Sequence, residues 1–123
     1  MSGEIVNLML TLRNQVKIYH WETKNFARHK ATDELVDKLD ASIDKFVEVY
    51  IGKYGRPSLN SRTGSIKIRN FHDREAPVLL KQAIGWMTTK LPSLLKPTDT
   101  DLLNIRDEII ADLNQTLYLF TLA

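Results

Sequence analysis

Residues 20–48, "HWETKNFARHKATDELVDKLDASIDKFVE", hold two of the chain's three histidines and two acid-bearing pairs at a chemically useful spacing. His29 and Asp33 are four residues apart, as are Asp44 and Glu48, and on an α-helix such residues share a face. Imidazole nitrogens and carboxylate oxygens around an open position are a donor set that suits non-haem iron. Taken singly, Asp33, Asp44 and Glu48 read as a solvated helix face; their joint register with the histidines is what points to a metal. Other chemistries lose their footing at once. The chain has no cysteine, so there is no thiolate ligand, disulfide or cysteine nucleophile. The stretch "GKYGRP" has neither the spacing nor the Lys-Ser/Thr ending of a phosphate loop, and no hydrolase nucleophile motif is present.

The elements that must position these groups follow from apolar periodicity. Ile5, Leu8, Met9, Leu12, Val16 and Tyr19 recur at three- and four-residue steps and predict a helix over 4–20. Leu35, Val36, Leu39, Ile43, Phe46, Val47, Tyr50 and Ile51 predict a second over about 27–53, with "GKYGRP" as its stop. Residues 55–72 are punctuated by glycine, proline and serine, and "SIKIR" alternates in a way that fits a short strand or an extended loop. A third helix starts near "DREAPVLL" and runs to Leu91, with Pro92 expected to end it. Asp99 or Thr100 caps a fourth, which buries Leu102, Leu103, Ile105, Ile109, Ile110, Leu113, Leu117 and Phe120. One strand cannot make a sheet, so the fold class is all-α. Short, long and short connections describe a single domain over 1–123, a ferritin-like four-helix bundle with a long crossover between the second and third helices, with an up-down-up-down bundle as the alternative.

Along a regular second helix, His29 and Asp44 are fifteen residues apart, or roughly 22 Å. The two pairs therefore cannot meet on one ion within one chain. Asp33, Asp44 and Glu48 also lie away from the apolar stripe, unlike carboxylates that project into a bundle interior. A twofold dimer resolves this: antiparallel second helices bring His29 and Asp33 of one subunit against Asp44 and Glu48 of the other. His20 joins from the side of His29 only if the helix breaks between them, and "ETKNF" is the expected break.

In this register the sequence resembles the Dps miniferritins, the DNA-protecting relatives of ferritin. His20-Trp21, Asn25-Phe26, His29, Asp33, and Asp44 with Glu48 stand in that family's order, and the spacing from His29 to Glu48 matches position by position. The segment from His20 to His29 is three residues shorter than is usual there. The resemblance implies oxidation of ferrous iron, generally by hydrogen peroxide, at a site between two subunits. It assigns His20, His29 and Asp33 to one subunit's share and Asp44 and Glu48 to the other's, with Trp21 beside the site. Iron is the implied metal, with zinc as a substitute. The wording "YHWETKNFARHKATDELVD" and "DKFVEVYIGKYGR" is also similar to small uncharacterised ferritin-like proteins of large DNA viruses and phages.

Composition bounds the rest. At 43% hydrophobic and 26% charged residues the chain is of ordinary globular type. No apolar run approaches the roughly 18 residues of a membrane span, and the N-terminus lacks the basic start of a signal peptide. A cytoplasmic location, or one within a virus particle, is expected. The net charge of +2 does not itself argue for nucleic acid. Between Glu48 and Asp73, however, Lys53, Arg56, Arg62, Lys67 and Arg69 meet no acid, a stretch able to contact an anionic partner. His72 has no partner at motif spacing. Two readings follow: a homo-oligomer, associating through its first two helices, that binds and oxidises iron, or a non-enzymatic structural or adaptor bundle that docks other proteins through its basic crossover.

Overall fold

The computed structural model describes residues 2–122 and contains four helices: α1 (Ser2–Glu22), α2 (Phe26–Tyr54), α3 (Ala76–Ser93) and α4 (Thr100–Phe120). They match the periodic segments to within a few residues, as expected where helix ends fray. Gly55 stops α2. At φ 90° it adopts a backbone that few other residues tolerate, and its N–H reaches back to the Ile51 carbonyl at 2.8 Å. The predicted stop before Pro92 falls short: α3 runs to Ser93 with Pro92 in its last turn. Proline's fixed φ suits a helix and only its missing N–H is lost. The helix then unwinds at Leu94, whose N–H takes the carbonyl of Leu91, three residues back.

Residues 55–75 form an extended strap, and no strand occurs among the described residues. "SIKIR" finds a helix as its neighbour. Asn7 Nδ2 donates to the carbonyls of Thr63 and Ser65, both at 2.7 Å. The buried Gln15 amide exchanges two bonds with the backbone of Arg69, at 3.1 and 2.8 Å, as a neighbouring strand would. Further on, the Phe71 N–H donates to Glu22 at 3.0 Å. The strap therefore runs parallel to α1, from its first turns to its last. It returns the chain to the end where α2 began, so α2 and α3 point the same way.

Each helix packs on two others, α1 on α2 and α3, and α4 on α2 and α3. All four neighbouring pairs are thus antiparallel, and the parallel pairs stand diagonally. The core between them holds Met9, Leu12, Val16, Tyr19, Leu35, Leu39, Phe46, Met87, Leu91, Leu102, Ile109 and Leu113. Leu8, predicted in the stripe of α1, is only half-buried, because α1 and α3 touch sparsely and leave a furrow beside it. Leu103, Ile110 and Leu117 are likewise half-buried on the flank of α4.

Asp99 precedes α4, as expected, but its side chain makes no capping bond. Fully buried, it accepts from Tyr54 Oη at 2.6 and 2.7 Å and from the Lys96 N–H at 2.8 Å, and pairs with Lys53 Nζ at 2.5 Å. It staples the end of α2 to the start of α4. Among the described residues, no helix is long and apolar enough to cross a membrane.

Candidate metal centre

His20 occupies the last turn of α1, and Thr23, Lys24 and Asn25 are non-helical, so the break falls inside "ETKNF" as predicted. Asn25 starts α2 with extended backbone, and its side chain accepts the Arg28 N–H at 3.0 Å, an N-cap. The break has a consequence that continuous helix would forbid. The rings of His20 and His29 stack, with centroids 3.9 Å apart and planes 17° from parallel.

The two residues also lock each other. His20 Nδ1 lies 2.8 Å from the His29 carbonyl oxygen, and His29 Nδ1 lies 2.9 Å from that of His20. A carbonyl only accepts, so Nδ1 carries the proton in both rings and Nε2 is the remaining ring nitrogen of each. An imidazole held from behind by a carbonyl is the arrangement that metal-ligating histidines use. His20 is buried, and Thr32 Oγ1 sits 3.1 Å from its Nδ1 while donating to the Arg28 carbonyl at 2.7 Å. His20 Nε2 lies 3.9 Å from Asp33 Oδ1. That gap is too long for a hydrogen bond, so the exposed Asp33 carboxylate stands beside the His20 ring without being bound to it.

His20, His29 and Asp33 are thus gathered at one corner of the molecule. Asp44 and Glu48 lie further along the same unbroken helix, roughly 22 Å from His29. There the Asp44 side chain, hydrogen-bonded to Glu48 and repelling its charge, holds the Glu48 carboxyl above the usual carboxylate range. Asp33, Asp44 and Glu48 are all exposed, as their distance from the apolar stripe predicts. Among the described residues, no three His, Asp or Glu side chains converge closely enough to hold an ion. The chain carries the five candidate ligands as two separated groups.

Two aromatics flank the histidine group in the open. Trp21 is 63% exposed and Phe26 72%, with Lys17 over the Trp21 ring and the Phe26 ring 6.4 Å from that of His29. Large aromatics left in water are unusual outside interaction surfaces.

Several supporting residues escaped the sequence reading. Asp73, at the end of the strap, accepts from Tyr19 Oη and Thr23 Oγ1, both at 2.8 Å, which holds its carboxyl below the usual range. Arg28 donates to Tyr19 Oη at 2.9 Å and to the Asp73 carbonyl at 2.6 Å. This network clamps the break on which the histidine pair depends. Its members are about fifty positions apart in the chain, so no local spacing signals it. The basic stretch, in turn, is partly spent inside the fold. Lys53 pairs with Asp99 and Asp101, and Arg69 with Glu75 at 3.0 Å, whereas Arg56, Arg62 and Lys67 stand exposed.

A family model described as "Family of unknown function (DUF5856)" matches residues 20–120. An "uncharacterized 14.6 kDa protein in mobD-ri intergenic region" of Enterobacteria phage T4 is 40% identical over 55 residues, which cover 45% of this chain and 43% of that protein. The match thus spans less than half the length of this relative. No solved structure matches the chain.

Proposed function

The chain belongs to the DUF5856 family, a family of unknown function, and on that premise we propose that it binds ferrous iron as a substrate and oxidises it at a site shared by two copies. The observation that carries this reading is the reciprocal lock of His20 and His29, which fixes both rings with Nε2 as the remaining donor. One copy supplies His20, His29 and Asp33, and a twofold mate supplies Asp44 and Glu48. Exposed Trp21 and Phe26 beside the histidines give such an interface its apolar anchors. The crowded Asp44–Glu48 pair gains from a cation, which relieves its repulsion. With hydrogen peroxide as oxidant, two ferrous ions give up one electron each, and the peroxide with two protons becomes two waters. No hydroxyl radical is released in that balance.

The test is a ferrous titration with peroxide, followed by ferric absorbance and by sedimentation. The wild type should oxidise iron as a dimer or larger assembly. Asp44→Ala with Glu48→Ala should abolish oxidation while leaving the urea unfolding midpoint nearly unchanged, because exposed carboxylates contribute little to packing. A strictly monomeric wild type, or one that takes up neither ferrous iron nor zinc, would overturn the reading. The phage origin of the T4 relative favours a second reading, a non-enzymatic structural or adaptor bundle of a virus particle. Absence of metal uptake together with a stable fold is the result which that reading expects.

A further inference from the structure

The charge of this molecule is sorted by segment. Residues 49–98 hold nine of the 17 lysines and arginines but only two of the 15 acids, Asp73 and Glu75. Those residues are the end of α2, the strap, α3 and the turn after it; Lys53 and Arg69 are paired with acids, whereas Arg56, Arg62, Lys67, Arg74, Lys81 and Lys90 are exposed. On α2, exposed Asp33, Asp37, Asp40, Asp44 and Glu48 form an acidic stripe beside exposed Lys30, Lys38 and Lys45.

Beside the strap lies the furrow between α1 and α3. Its middle is a hollow of about 300 Å³ walled by Leu8, Leu12, Leu79, Ala83 and Trp86. Leu8 also lines a hollow with Glu4 and Arg62, and Leu79 lines another with Arg69, Arg74 and Glu75, so both adjoin the apolar hollow. Along α3 the apolar hollow extends from Leu79 to Trp86, seven residues or roughly 10 Å, the length of about two helical turns. The lining acids are Glu4 and Glu75, and the latter is already paired with Arg69.

We infer that this groove docks an acidic amphipathic helix from another protein, with aliphatic side chains laid along the furrow and acids toward Arg62 and Arg74. An apolar hollow about two turns long, flanked by hollows that carry Arg62 and Arg74, is complementary to such a helix. Nucleic acid fits it less well, since the trough is largely aliphatic where single strands need stacking platforms and a continuous basic track. A second copy of this chain also fits poorly. The acidic helix α2 keeps its own apolar stripe, including Leu35, Leu39 and Phe46, inside its core.

The test uses full-length protein with Trp21→Phe, which leaves Trp86 as the one tryptophan, and an 18-residue peptide with leucines at three- and four-residue steps and glutamates elsewhere. Binding should shift Trp86 emission to the blue and weaken with salt. It should fall about tenfold in Arg62→Glu with Arg74→Glu, a surface pair that leaves the core intact, and at least as far in Leu8→Glu. Equal binding of a scrambled peptide of the same composition overturns the inference. So does preferential binding of a DNA oligonucleotide, or self-association of the protein that the double charge reversal abolishes. The readout needs no metal, so its failure is distinct from failure of the ferroxidase reading.

Discussion

Replacing Asp99 by asparagine tests whether the staple between α2 and α4 is electrostatic. The carboxylate is buried, with its side chain 2% exposed, and it meets Lys53, Tyr54 and the Lys96 N–H together. The bonds from Lys53 and Tyr54 hold its pKa at about 2, against an ordinary value of 3.8. A difference of that size corresponds to about 2.4 kcal/mol of differential interaction with the charged form. Lys53 is 30% exposed and keeps Asp101 as a partner, so solvent screening reduces the expected loss to about 1–2 kcal/mol. The asparagine amide oxygen still accepts one hydrogen bond, and the fold should survive. In a chain of this size the change lowers Tm by roughly 4–8 °C at pH 7. The sign of the pH dependence follows from the depressed pKa. The stabilisation is fully present above about pH 4 and is lost as pH falls through about 2. Urea unfolding of wild type and Asp99→Asn between pH 7 and pH 2 reads this directly, and the two stability curves should converge toward the acid end. A loss below about 0.5 kcal/mol at pH 7, or curves that stay parallel to pH 2, would refute the electrostatic account.

Two further outcomes concern the strap. Gln15→Ala removes both bonds to the Arg69 backbone and leaves its N–H and carbonyl without those partners, which should cost about 1–3 kcal/mol and speed hydrogen exchange at the Arg69 amide. Gly3→Ala places a methyl group against the Ser58 carbonyl oxygen and 3.0 Å from Thr63 Oγ1. The strap must then shift, with a loss of about 1–3 kcal/mol in thermal or urea unfolding; an unchanged stability would show that residues 58–63 yield freely.

The four helices were legible in the sequence because apolar spacing reports burial directly. Leu35, Leu39 and Phe46 recur where a helix must face a core, and the structure buries them. Helix ends were legible as segments, "GKYGRP" and "ETKNF", and the structure shows the residues that act there, Gly55 through its backbone and Asn25 through its side chain. Pro92 misled because proline forbids a helix interior, not a last turn. For "SIKIR" the extended-loop alternative held: alternation shows an extended chain without showing what lies beside it, and here that is the Gln15 amide.

The same division runs through the candidate site. Sequence alone determined which side chains carry donor atoms, their spacing along α2, and that His29 and Asp44 cannot meet within one chain, because those follow from residue type and helical rise. Only the tertiary structure decided that the three-residue break stacks His20 on His29, that each ring is held by the other's carbonyl, and that Asp73 clamps the break from the far end of the strap. It also turned half-buried Leu8 from a core residue into the wall of a groove. Those facts depend on contacts between segments many residues apart, which local spacing along a chain does not encode.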